Sequence, residues 1–204
     1  MLKVKRVAIT GSLACGKTTV CRFFKEWGAY VVSADALLHQ AFSCNTPIRH
    51  KVCQLFGDTI VEGSSINRSK IAEIVLHSPD LLEQLETICH PYVNQEIQRQ
   101  YKIVCDTGKY PLFVAEVPLL FESPYSLKEW FDVTILVFSS EKKAKKRYLE
   151  QGGTAEQFEF RESRYMSVTE KTDLVDYTLS NNASVEILKK HSKNLFKKLN
   201  QKNP

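Results

Sequence analysis

A lysine and a threonine that follow a pair of spaced glycines carry the first chemical signal in this chain. They stand in Gly11-Ser12-Leu13-Ala14-Cys15-Gly16-Lys17-Thr18-Thr19, which fits G-x-x-x-x-G-K-[ST] at every fixed position. Gly11 and Gly16 allow a tight turn in which successive backbone N–H groups, from Leu13 to Thr19, point into one concavity. Such a nest at a helix N-terminus stabilises phosphate oxygens. Lys17 adds a point charge within reach of β and γ phosphates, and Thr18 offers a hydroxyl to Mg²⁺. Two carboxylates follow. Asp35 comes just after the apolar run Tyr30-Val31-Val32-Ser33, and Glu116 ends the run that begins at Pro111. An Asp just past the carboxyl end of such a strand faces the crevice where ligands of open α/β sheets sit. An acidic residue closing an apolar strand can help hold Mg²⁺. The loop by itself names a nucleoside triphosphate and leaves open what becomes of it.

These groups need a scaffold. Val4 to Thr10 reads as a strand buried on both faces, as in a parallel sheet. Val20, Phe23, Phe24 and Trp27 then form a helical stripe closed by Gly28. Tyr30 to Ser33 is the second strand. Ligands of open α/β sheets sit outside the strands' carboxyl ends, so Asp35 should share a crevice with the phosphate loop. No convincing strand is visible from Ala36 to about Cys105. Helices are expected to begin at Thr46-Pro47, after Asn67, at Ser78-Pro79-Asp80 and at Pro91. This stretch is far longer than the roughly 10–12 residues a simple crossover needs, and too apolar for a disordered linker. It reads as a helical insertion for a second substrate.

The remaining strands are expected over Pro111–Val117, Phe131–Phe138 and Val175–Leu179. Between the last two, a basic helix from Glu141 to about Tyr148 is broken by Gln151-Gly152-Gly153-Thr154. A second helix follows from Ala155 to about Met166, with Arg161 and Arg164. Arginines on both arms of a glycine-hinged hairpin suit a lid that closes over phosphates and excludes water. The tail from Val185 to Leu199 carries an apolar stripe of Val185, Leu188, Leu195 and Leu199. Its lysines are read as a solvated face.

The 204 residues suffice for one α/β domain with an insertion, and the formal charge of +5 selects no partner. None of the six cysteines pairs in C-x-x-C spacing, so a zinc site is not expected and reduced thiols are. The first six residues are too polar for a signal peptide, and no apolar run approaches the roughly 20 residues of a membrane span. The expectation is a cytoplasmic protein acting on a small molecule, with neither nucleic acid nor membrane as a partner.

No N-K-x-D guanine motif occurs, which argues against a GTPase switch. What remains is a small-molecule kinase laid out as nucleoside monophosphate kinases are. Trp27-Gly28-Ala29-Tyr30-Val31-Val32-Ser33-Ala34-Asp35 resembles a segment of the dephospho-coenzyme A kinase family. The similarity continues through Phe56-Gly57, Asn67-Arg68 with Ile71, Leu85-Glu86, and His90-Pro91. It then takes in Pro118-Leu119-Leu120-Phe121-Glu122 and Asp176-Tyr177-Thr178-Leu179-Ser180-Asn181. Ser33 stands in place of the family's first Asp in D-A-D, and Gln151 where a second lid arginine often stands. Ser12 and Ala14 depart from common residues inside the loop.

The resemblance implies an α/β P-loop kinase fold, a single domain over 1–204. It would hold a five-stranded parallel sheet, a helical substrate-binding insertion over 36–105 and a lid over 140–168. It implies ATP-dependent phosphorylation of the ribose 3′-hydroxyl of dephospho-coenzyme A, with Mg²⁺. Asp35 and Lys17 would be catalytic. ATP would be held by Leu13, Ala14, Cys15, Gly16, Lys17, Thr18 and Thr19, with Arg147, Arg161 and Asn181. The acceptor would meet Thr10, Asp35, Arg68, His90, Pro118 and Leu119, and the metal Thr18 and Glu116. A nucleoside monophosphate or another small molecule as acceptor is the alternative. A nucleotide-binding module without an acceptor is the rival from another class.

Overall fold

The structure is a computed structural model that describes residues 4–44, 46–63 and 65–201. Its main sheet has five parallel strands: β1 (Lys5–Thr10), β2 (Tyr30–Ser33), β5 (Leu112–Glu116), β6 (Val133–Phe138) and β7 (Tyr177–Ser180). Their order is β2-β5-β1-β6-β7. The register sets Ile9 of β1 opposite Glu116 of β5, and Glu116 opposite Ser33 of β2. The carboxyl ends of the three strands are therefore level, and the phosphate loop leaves from β1, the central strand of the five. β5 and β6 are almost wholly apolar, and β1 is apolar over Val7–Ile9, because both faces are covered there.

Helix α1 (Lys17–Glu26) follows the loop and presents Val20, Phe23 and Phe24 to the sheet. Helix α9 (Val185–Asn200) lies beside it and buries Leu188, Leu195, Phe196 and Leu199. The Phe24 and Phe196 rings meet edge to face at 5.4 Å. Lys193 of the same helix sets its ammonium 4.5 Å from the Trp27 ring, so part of the tail's basic face packs on aromatics as well as meeting water. Val185, expected on the buried stripe, is 53% exposed. It is the first helical residue and overhangs the core.

The chain divides into two compact units, and the second is Ala34–Arg99. It contains α2 (Ala34–Ser43), α3 (Pro47–Phe56), α4 (Arg68–Leu76) and most of α5 (Pro79–Thr107). Phe42, Ile48, Val52, Ile60, Ile66, Ile71, Val75 and Cys89 form its own core. The Thr46 side chain caps α3 by accepting from Arg49 N–H, and Asn67 caps α4 by accepting from Ser69 and Lys70 N–H.

Four features depart from the sequence expectations. Pro91 does not open a new helix; it lies inside α5. The proline removes one bond of the ladder, while Cys89, Val93, Ile97 and Val104 stay buried on either side of it. A two-stranded antiparallel hairpin, β3 (Val61–Glu62) and β4 (Ser65–Ile66), stands where no strand was expected. Strands of two residues leave no readable alternation. Helix α2 was also unforeseen, as was the short α8 (Val168–Thr172), since neither carries a clear apolar stripe.

Between β6 and β7 the chain forms α6 (Glu141–Glu150) and α7 (Ala155–Glu162). Thr154 and Gln157 make a reciprocal capping box at the start of α7. Lys145 pairs with Glu159 across the hairpin at 2.7 Å, and the Tyr148 and Phe158 rings pack at 5.7 Å. No helix among the described residues is long and apolar enough to cross a membrane.

Candidate active site

The phosphate loop is shaped by residues in the left-handed region of backbone space. Gly11 has φ 148°, Gly16 φ 107° and Ala14 φ 49°. Gly11 could not carry a side chain, because a Cβ there would stand 2.1 Å from the Val137 carbonyl oxygen. Gly16 is the N-cap of α1 and has no side-chain oxygen to give, so the first N–H groups of the helix have no cap from the protein. That is the electrostatic setting an anion needs.

Lys17 is buried. Its ammonium donates to the carbonyls of Gly11 (3.0 Å) and Ser12 (2.7 Å), so it arches back over the loop it follows. The Thr18 hydroxyl donates to Glu116 Oε1 at 2.8 Å, and Glu116 is itself buried at the end of β5. The two residues expected to share a metal are thus in direct contact. A hydroxyl beside one carboxylate suits Mg²⁺, which keeps several waters and takes few protein ligands. Among the described residues no group of three or more His, Cys, Asp or Glu gathers as a metal cage. The Thr10 hydroxyl, at the end of β1, donates to the Pro118 carbonyl at 3.1 Å. It fixes the segment Pro118–Leu119 that follows β5.

Asn181 is drawn into the loop itself. Its side-chain amide donates to the Cys15 carbonyl at 2.8 Å. Its own carbonyl accepts from Arg147 Nη2 at 3.0 Å. Arg147 Nη1 is buried and has no hydrogen-bond partner among the described residues. A guanidinium held this way keeps a fork ready for an anion. Arg161, on α7, stacks its guanidinium 5.9 Å from the Tyr148 ring. The α6–α7 hairpin reaches the loop through Leu13, Ala144 and Phe158, with Ala14, Tyr148 and Tyr165 packed around them.

Four residues without a role in the sequence reading also gather here. Glu162, the last residue of α7, accepts the Leu13 N–H at 3.1 Å. Burial pushes its carboxyl pKa up against the opposing pull of that N–H and of Lys17 and Lys171. Tyr165 lies 5.8 Å from the Lys17 ammonium and 4.9 Å from that of Lys171. Lys171 is buried against Glu122 at 2.5 Å. The ammonium meets that oxygen off the hydrogen-bonding direction, so charge carries the contact. Only Glu122 had a sequence signal, as the end of Pro118–Glu122.

Cys15 is fully buried in the loop, and burial pushes its thiol pKa up, opposed by Lys17. Such a thiol serves packing. Asp35, Arg68 and His90 belong to the second unit. Asp35 is exposed in the first turn of α2, two residues past Ser33. Arg68 is exposed at the first position of α4, and His90 is half-buried within α5.

The chain matches the family model described as dephospho-CoA kinase over residues 5–186. It belongs to the dephospho-CoA kinase family. A dephospho-CoA kinase of Chlamydia pneumoniae is 42% identical over 185 residues, covering 90% of this chain and 91% of that protein. One of Protochlamydia amoebophila is 39% identical over 201 residues, covering 98% of each. Among solved structures, a Thermus thermophilus protein superposes with a TM-score of 0.77 at 27% identity, covering 96% of this chain and 98% of its own.

Proposed function

We propose that this chain transfers the γ-phosphoryl group of ATP to the ribose 3′-hydroxyl of dephospho-coenzyme A, giving coenzyme A. Family membership over nearly the whole chain carries this reading. The phosphate loop supports it: an uncapped helix N-terminus, the buried Lys17, and the Thr18–Glu116 pair stand together at the level carboxyl ends of β1 and β5.

Phosphoryl transfer requires alignment and charge neutralisation more than covalent chemistry. Backbone N–H groups from Leu13 to Thr19 hold the phosphates. Lys17 exchanges its two carbonyl acceptors for phosphate oxygens. Arg147 supplies the guanidinium that Asn181 holds in place, and Arg161 comes from the hairpin. Thr18 and Glu116 would hold Mg²⁺, which when bound offsets the charge that spreads over the γ oxygens.

Asp35 accepts the hydrogen bond of the attacking hydroxyl and takes its proton. A carboxylate is a weak base, so orientation is its larger contribution. Arg68 receives an acceptor phosphate through its planar fork, and His90 hydrogen-bonds the acceptor. Thr10, Pro118 and Leu119 form the wall that the acceptor meets. The hairpin over 140–168 acts as a lid that keeps water from the γ-phosphate.

The test is purified protein with ATP, Mg²⁺ and dephospho-coenzyme A, with coenzyme A detected by mass. Formation of coenzyme A is expected. No product with this acceptor, but turnover with a nucleoside monophosphate, would move the assignment to nucleotide phosphorylation. ATP binding without transfer to any acceptor would leave a nucleotide-binding module.

A further inference from the structure

Buried charge beside the phosphate loop has no part in the scheme above. We propose that Glu122 and Lys171 are positioning residues: a buried ion pair that holds the connector 162–166 on the phosphate loop and so sets how tightly ATP is bound. The proposal rests on the ATP site described above and not on the identity of the acceptor.

The pair is well removed from water. The Lys171 side chain is 1% exposed and that of Glu122 is 11% exposed, with 2.5 Å between them. Glu122 also accepts two backbone N–H groups. Oε1 takes Met166 N–H at 3.0 Å, and Oε2 takes that of Phe121 at 3.2 Å. One carboxylate therefore joins three parts of the chain: its own segment after β5, the last residue of the connector, and α8.

The connector is gripped along its length. At residue 162, a carboxylate accepts the Leu13 N–H of the loop. At residue 165, the tyrosine ring lies between two ammonium groups, 4.9 Å from Lys171 and 5.8 Å from Lys17. Both distances are within cation–π range. At residue 166, the backbone is tied to Glu122. Within five residues the connector touches the phosphate loop twice and the ion pair twice. Tyr165 spans from Lys171 to the phosphate-binding lysine.

Stability is a weak reason for such a pair. Two desolvated charges are often replaced by apolar groups without loss, whereas removing one partner strands the other. This asymmetry separates a positioning role from a merely structural one. Lys171→Met leaves the Glu122 carboxylate buried and unpaired, and should lower the melting temperature. The double variant Glu122→Gln/Lys171→Met removes both charges, and Gln can still accept the Met166 N–H. It should recover most of the melting temperature.

The deciding measurement is the Kd of ATP by calorimetry on the full chain, which needs no acceptor. KM for ATP and for dephospho-coenzyme A accompany it. In the folded double variant ATP should bind about three- to tenfold more weakly, the size of a lost cation–π contact of up to about 1 kcal/mol or slightly more. KM for dephospho-coenzyme A should hold. Lys171→Arg should restore ATP binding. Tyr165→Leu, which leaves the pair intact, should reproduce the weakening. Wild-type ATP affinity in either the double variant or Tyr165→Leu overturns the proposal. A failure of coenzyme A formation in the wild-type protein would overturn the acceptor assignment and leave this test intact.

Discussion

Asn181 and Cys15 are joined by a 2.8 Å hydrogen bond from side-chain amide to backbone carbonyl, across 166 residues of sequence. The bond fastens the turn after β7 to the phosphate loop and leaves no room at the neighbouring glycine. A Cβ on Gly16 would stand 2.3 Å from Asn181 Nδ2. Asn181 also holds Arg147 through its carbonyl, so one residue places both the loop and its guanidinium.

Asn181→Ala removes a hydrogen bond of about 1 kcal/mol and should raise the Kd for ATP by roughly three- to tenfold. Gly16→Ala should be worse, since a left-handed φ of 107° strains any side chain in addition to the clash. The two should be less than additive, because truncating the Asn181 side chain to a methyl group frees part of the space. Calorimetric ATP binding to both single variants and the double variant checks this. Strict additivity would mean that Asn181 does not constrain position 16.

Thr18 and Glu116 touch before any metal is considered, so removing either should alter how the protein uses Mg²⁺. Thr18→Ala and Glu116→Gln should each raise the Mg²⁺ concentration needed for half-maximal rate by about 10- to 100-fold, as losing a metal-orienting partner does. A Mg²⁺ titration of the rate reads this directly. An unshifted titration in both variants would remove the pair from metal binding.

Asp35→Asn keeps the shape of the side chain and loses its basicity. It should lower kcat by about 10²–10⁴, the contribution usual for a general base, while the Kd for ATP stays within about twofold. Single-turnover kinetics and calorimetry together separate these effects. An unchanged kcat would take Asp35 out of the mechanism.

Glu162 gives a pH signature. Burial raises its carboxyl pKa in the folded protein, so between the unfolded and folded values the native state binds more protons. The neutral form is favoured on folding. Stability linked to this group is therefore full below the ordinary glutamate range and is lost as the pH rises through the higher folded value. In Glu162→Gln that loss is absent. Its melting temperature relative to the wild type should rise as the pH is taken from about 4 to 7. A constant or opposite difference would contradict the direction of the shift.

The framework was legible because its signals are local and strong. The loop from Gly11 to Thr19 announces itself by spacing, and the apolar runs of β1, β5 and β6 announce burial on both faces. Caps at Thr46 and Asn67 fell where their side chains suggested. Pro91 misled because its local rule, that a proline starts or breaks a helix, was overridden by packing on both sides of it. In the candidate site, Lys17, Thr18 and Glu116 could be found from sequence. Glu162, Tyr165 and Lys171 could not, because each is an ordinary polar residue in a polar stretch. They become neighbours of the loop only when α7 and α8 fold back on it. The direction of Asn181, toward the backbone of Cys15, is likewise a tertiary fact.

Ala14 is the one non-glycine among the described residues with positive φ. A glycine there would ease the backbone, since a left-handed alanine costs on the order of 1 kcal/mol. It would also delete the methyl group that packs against the cluster of Leu13, Ala144 and Phe158. That methyl gives the phosphate loop a foothold on the hairpin, so the two elements are mechanically coupled at a carbon atom that takes no part in the chemistry. Drift in one is felt by the other through this packing as well as through the hydrogen bond from Leu13 N–H to Glu162.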